Sequence, residues 1–194
     1  MKKTLLILAM LVPMLSWAQE IKISDSKTEV SRTITAYNTY GSLVNLYNNS
    51  DGNMSGATPF VLMATFDLKR PKKIEYTLSF PIFGMSSKAI TIDKGARLLL
   101  KSGDGTNVCL KCLISQSPRY GGSDGYDMDC VYSITKPQLT QLLSCDSISK
   151  MRMEFTTKQV DVNFPKNELY TFLKMAFNKI EETISSPDNF TKDF

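Results

Sequence analysis

The stretch RLLLKSGDGTNVCLKCLIS, Arg97 to Ser115, decides how the rest of the chain is read. Two apolar segments, Arg97 to Lys101 and Asn107 to Ser115, flank Ser102-Gly103-Asp104-Gly105-Thr106. An Asp-Gly pair between β-type runs is a strong short-range signal for a hairpin. Side chains alternate along a strand, so Val108, Leu110, Cys112 and Ile114 share the apolar face, while Cys109 and Lys111 point the other way.

Working outward, most of the chain follows the same pattern. Ile21–Ile23 and Glu29–Thr35 are short alternating segments, and residues 48–58 form a polar, Gly-rich loop. Phe60–Leu68 and Ile74–Phe80 are rich in aromatic and β-branched residues and read as two strands. The cluster Lys69-Arg70-Pro71-Lys72-Lys73 joins them, as a solvated turn rather than a polyanion site. After Pro81 a loop leads to Ala89–Ile92, and Tyr126–Ile134 continues the meander. Lys150–Thr157 and Gln159–Phe164 read as a further hairpin, with Met151, Met153 and Phe155 on one face and Lys150, Arg152 and Glu154 on the other.

Two segments break the alternation. Thr135-Lys136-Pro137-Gln138 has the form of a capping box, with Pro near the first helical position, so a short helix is expected near 136–143. From Glu168 to Ile184, Leu169, Phe172, Leu173, Ala176, Phe177, Ile180 and Ile184 recur at spacings of three and four. That stripe predicts an amphipathic helix near 167–184 packed on a sheet, with a tail that frays from about residue 186. The expected fold class is α+β: a largely antiparallel sheet covered by these helices, in one domain over 19–194.

Residues 1–18, MKKTLLILAMLVPMLSWA, have a short positive start, an apolar run and a small-x-small end, the form of a cleaved signal peptide. A helix over its dozen apolar residues would span about 18 Å, well short of the ~30 Å hydrocarbon core. No cysteine follows the apolar run, so a lipoprotein site is not expected. The expected setting is therefore periplasmic or secreted and soluble, with no membrane-spanning segment after cleavage. Without Lys2 and Lys3 the 23 basic residues become 21, against 19 acidic ones, a balance that gives no reading toward nucleic acid or membrane surfaces.

The four cysteines, Cys109, Cys112, Cys130 and Cys145, pose a choice. The strand separates the two thiols of the Cys-x-x-Cys onto opposite faces, whereas a thiol-redox site needs them adjacent on a turn or helix start. A zinc site wants four ligands in two close pairs, and Cys130 and Cys145 are far apart with no histidine to substitute. In the strand Tyr126–Ile134, Cys130 falls on the apolar face, as Cys112 does in its own strand. A structural disulfide Cys112–Cys130 is the favoured expectation, leaving Cys109 and Cys145 as the second pair. Buried free thiols are the main alternative.

A histidine count of zero excludes Ser-His-Asp and Cys-His nucleophile systems and imidazole-based zinc hydrolases. Carboxylate enzymes remain open, although Asp127, Asp129 and Glu154 carry no pattern that singles them out. Asp124, Asp127 and Asp129 could offer oxygens to Ca²⁺, but a solvent-facing strand edge explains them as well, and the EF-hand pattern is missing. Ser102–Thr106 lacks the Gly-Lys-Ser/Thr ending of a phosphate loop, so no cofactor is expected. Tyr37, Tyr40 and Tyr47, with Leu43 and Leu46, could form a sugar- or protein-binding surface, with core packing the plainer reading.

An MKK start, a signal ending Trp-Ala-Gln, a β-rich body with an Asp-Gly hairpin and a final amphipathic helix together resemble the small exported proteins of unassigned function in Bacteroidetes. Asp146-Ser147-Ile148 is similar to the O-glycosylation motif of that group, with Ser147 as the acceptor. The resemblance implies a periplasmic or surface setting and transfers no catalytic residue. The leading expectation is a non-enzymatic binding or assembly module of the cell envelope, its partner an envelope protein or glycan and not nucleic acid. The alternatives are a histidine-independent, carboxylate-based hydrolase and a thiol-redox protein using Cys109 and Cys112.

Overall fold

The computed structural model describes residues 19–26, 31–38, 44–45, 57–58, 60–85, 90–120, 126–164 and 167–186. The expected signal peptide, Asp124, Tyr40, Tyr47, Leu43, Leu46 and the tail after 186 lie outside these residues, as does the side chain of Tyr37.

Among the described residues there are twelve strands. The first six are β1 (Gln19–Ser26), β2 (Ser31–Asn38), β3 (Val44–Asn45), β4 (Ala57–Thr58), β5 (Val61–Asp67) and β6 (Arg70–Met85). Then come β7 (Arg97–Ser102), β8 (Asn107–Cys112), β9 (Arg119–Tyr120), β10 (Tyr126–Ile134), β11 (Ile148–Glu154) and β12 (Gln159–Asn163). Helix α1 covers Lys136–Ser144 and α2 covers Glu168–Ser185. Neighbouring strands are antiparallel, in the order β1-β2-β5-β6-β10-β8-β7-β11-β12, with β9 added against β10 and β3 pairing β4 separately.

The Arg97–Ser115 stretch forms its hairpin with Leu98 opposite Leu110 and Leu100 opposite Val108, which puts all four on the inner face. The turn closes through Ser102 N–H to Thr106 O at 2.8 Å and Thr106 N–H to Asp104 Oδ1 at 2.9 Å. Gly105 sits at φ 89°, a conformation open to glycine and strained for other residues. The strand ends at Cys112, short of the expected Ser115: its β7 partner begins at Arg97, opposite Lys111, and past that point Leu113 N–H makes a bond to Val131 O of β10 at 2.8 Å. Ile114, expected on the apolar face, is consequently 46 % exposed.

Other boundaries also differ from the sequence reading: the expected turn Lys69–Lys73 shrinks to Leu68–Lys69 because Arg70–Lys73 already form the start of β6, and Ala57–Thr58 of the expected loop 48–58 form β4. Strand β6 runs through Pro81 to Met85 instead of stopping before a loop. Pairing with β5 has already ended at Val61, opposite Ser79, so Pro81 lies past the end of the β5 ladder, where a missing N–H is tolerated. Of the expected strand Ala89–Ile92, the described residues 90–92 form none: Ile92 makes one isolated bridge to Gln116, while Ile90 and Ile92 are buried as core plugs.

The sheet has a narrow seam. Strand β10 pairs with β6 from Tyr126 to Ile134, but with β8 only through Tyr132↔Cys112 and Ser133↔Lys111. Beyond that point β10 becomes α1, and Gln138 Nε2 donates to Cys109 O at 3.0 Å in place of a ladder bond. The capping box forms as drawn in the sequence: Gln138 N–H donates to Thr135 Oγ1, and Thr135 N–H donates to Gln138 Oε1.

One apolar cluster fills the inner face. Phe60 meets Phe80, Phe164 and Phe172 with ring centroids 5.7, 6.1 and 5.9 Å apart, contacts worth about 0.5–1.5 kcal/mol each beyond area burial. Helix α2 buries Leu169, Phe172, Leu173, Ala176 and Ile180, and it lies across β1, β2 and β5 with α1 beside it. No helix among the described residues is long and apolar enough to cross a membrane.

Candidate functional site

The four cysteines are free thiols. The expected Cys112–Cys130 disulfide is not formed, and the register gives the reason: Tyr132, not Cys130, stands opposite Cys112, while Cys130 faces Phe80 of β6. Both thiols are buried, and desolvation raises their pKa values, most strongly for Cys130. The second expected pair, Cys109–Cys145, is not formed either. Cys109 is exposed on the outer face of β8, whereas Cys145 caps α1 and lies 3.2 Å from Asp104 Oδ2. Cys109 and Cys112 point to opposite faces of one strand, which removes the geometry a dithiol centre requires.

Of the carboxylates that could serve a hydrolase, Glu154 is held in structure. Glu154 receives Arg97 Nη2 at 2.9 Å and the Arg97 backbone N–H at 3.0 Å, and its pKa is lowered by that guanidinium. Asp129 is exposed and Asp127 half-buried on β10, and no group of three or more possible metal ligands occurs among the described residues. A cleft of about 510 Å³ between β6, β10 and the start of α1 is lined by Tyr76, Thr77, Leu113, Ser133 and Lys136. Its single carboxylate, Glu75, pairs with Lys73 at 3.1 Å, so the two facing carboxyls of a glycosidase are not assembled there.

Beneath that cleft lies a polar knot with no sequence signature. Glu181 of α2 accepts from the Tyr76 hydroxyl of β6 and pairs with Lys136 at the start of α1. The Lys136 ammonium also sits 5.7 Å from the centroid of the Phe177 ring. Burial, with the Glu181 hydrogen bond next, pushes the Tyr76 phenol well above its ordinary range. The partners are separated by 105 and 45 residues, so only the folded chain brings them together. The arrangement ties both helices to the sheet and leaves Lys136 neutralised.

Ser147, the proposed glycan acceptor, is half-buried. Its carbonyl accepts from Gly103 N–H at 3.0 Å, and its hydroxyl is pressed against the Cα of Gly103 so closely that a Cβ there would overlap it. Asn167, at φ 61°, clamps the same loop by donating to Asp146 O at 2.8 Å and accepting from Ile148 N–H at 2.9 Å.

The opposite, outer face of the sheet carries no buried residue along β5, β7, β8, β11 or β12 at the positions alternating with the core. Across β8, β7 and β11 three rungs align: Asn107–Lys101–Lys150, Cys109–Leu99–Arg152 and Lys111–Arg97, with Glu154 bonded to Arg97 at the end. Leu99, Lys101, Asn107, Lys150 and Arg152 line a shallow groove of about 210 Å³. The sequence showed the charged face of each strand separately. It did not show that β7 and β11 are neighbours, because a hairpin, β10 and α1 intervene between them.

Comparison with known protein families, curated proteins and solved structures finds no match to this chain.

Proposed function

We propose that the protein is an exported, non-catalytic binding or assembly module of the bacterial cell envelope, acting through the outer face of its sheet. The observation that supports this most directly is the one-sided build: the apolar core and both helices lie on the inner face, and the outer residues of β7, β8, β11 and β12 remain open. A bare, polar sheet face of many strands is a broad and rigid platform for a ligand that lies across it. The reading also draws on the signal-like residues 1–18.

The test is fractionation of cells producing the full chain, with mass mapping of its N-terminus, followed by co-sedimentation with isolated envelopes. A mature N-terminus at Gln19 and saturable sedimentation are expected. An intact leader in the cytoplasm, or no sedimentation, overturns the proposal.

A further inference from the structure

The outer face is unevenly charged. Strands β7, β8, β11 and β12 present Arg97, Lys101, Lys111, Lys150 and Arg152 there, against two carboxylates, Glu154 and Asp161. That surplus of three cations exceeds the surplus of two carried by the whole of residues 19–194, with 21 bases and 19 acids. Lys101 stands directly opposite Lys150, a like-charge cross-strand pair that works against the sheet unless something compensates it. Internal compensation is incomplete. Asp161 serves two cations at once, Lys150 at 2.6 Å and Arg152 at 2.6 and 2.9 Å, while Lys101 and Lys111 find no carboxylate among the described residues.

Resting on the module reading above, we infer that this groove binds an acidic polysaccharide, with a carboxylate or sulfate group of the sugar seated between Lys101 and Lys150. The Arg152 fork is held by Asp161 and adds its charge to the groove without a free bidentate face, while Asn107 supplies an amide donor at the rim. The groove is shallow and open, which suits a chain passing over it better than an enclosed small molecule. Among the described residues of β7, β8, β11 and β12 no aromatic side chain stands on this face to stack bases, and Leu99 is half-buried, so neither a single-stranded nucleic acid nor a membrane interior finds its usual anchor there.

The test is calorimetric titration of the purified protein with dextran sulfate, using neutral dextran as reference. Saturable binding to dextran sulfate alone is expected, weakened about tenfold or more in K101Q/K150Q through loss of two charge-assisted contacts. It should be unchanged in K72Q/K73Q, which removes the same charge from the start of β6. The K101Q/K150Q variant should melt close to the parent, since relief of the like-charge pair offsets loss of the exposed Lys150–Asp161 ion pair. Absence of binding, or equal weakening in both double variants, overturns the inference. So does tighter, Lys101-dependent binding to phosphatidylglycerol vesicles or to a single-stranded oligonucleotide. Envelope sedimentation that survives in K101Q/K150Q would discard the glycan site and leave the module reading standing.

Discussion

Gly103 offers the sharpest quantitative test of the packing between the hairpin turn and the β11 approach. A Cβ added at this position would overlap Ser147 Oγ, while Ser147 Cβ lies at an ordinary 3.4 Å. The backbone of Gly103 needs no positive φ, so alanine is conformationally admissible and restricts the unfolded chain, a stabilisation of about 0.4–1 kcal/mol on its own. Against this, relieving the overlap means driving Ser147 χ1 from its well or moving the strand it precedes, an overpacking cost of about 1–3 kcal/mol. Gly103→Ala should therefore destabilise by about 1 kcal/mol net. Removing the offending oxygen reverses the sign: in Ser147→Ala, the added Gly103→Ala should be neutral or stabilising by up to about 1 kcal/mol. Urea denaturation of the four proteins in the cycle gives the coupling, expected at about 1.5–3 kcal/mol. A coupling near zero, or a stabilising Gly103→Ala in the parent, would refute the close approach of the two loops.

Glu181→Leu should cost about 2 kcal/mol by stranding the Tyr76 hydroxyl and Lys136, and Tyr76→Phe less, since Glu181 keeps Lys136; urea midpoints give both values. Asn167→Gly loses the two side-chain bonds to the 146–148 loop, and Asn167→Ala loses them and adds a left-handed backbone penalty of about 1–2 kcal/mol, so alanine should be the worse variant by thermal melting. With maleimide in native conditions Cys109 should label first, and Cys112 and Cys130 only on unfolding; a Cys112–Cys130 disulfide in the mass map would refute the register. Burial raises the pKa values of Tyr76, Tyr132, Cys112 and Cys130 above those of the unfolded chain, so the folded state holds these protons more tightly. Their contribution is whole below about pH 9, then falls as the unfolded chain ionises, with a slope of up to about 1.4 kcal/mol per pH unit for each group; flat stability from pH 9 to 12 would contradict their burial.

Local chemistry was legible where one segment contains all of it. The Asp-Gly hairpin, the strand Tyr126–Ile134 and the Thr135–Gln138 capping box each need only their own residues, and the antiparallel character follows from them. The Cys112–Cys130 pairing failed for a defined reason: alternation assigns a face but not a register, and a shift of two residues keeps both cysteines on the core face while placing Tyr132 opposite Cys112. Pro81 read as a break because a sequence does not state where the neighbouring strand stops. The groove cations were visible as alternating charges on Lys150 and Arg152, yet their juxtaposition with Lys101 depends on a crossover that periodicity does not encode.

The narrow seam between β8 and β10 has a kinetic consequence. Each side of the sheet contains sequence-adjacent hairpins, β1–β2 and β5–β6 on one side and β7–β8 and β11–β12 on the other, whose local pairing can form early. What lies over β1, β2 and β5, and joins them through Glu181 to the start of α1, is α2, the last element of the chain. Final locking therefore requires the two most distant parts of the polypeptide to meet. A chain emerging N-terminus first can gather its hairpins as it appears, but it cannot close around its core until about residue 180 has followed.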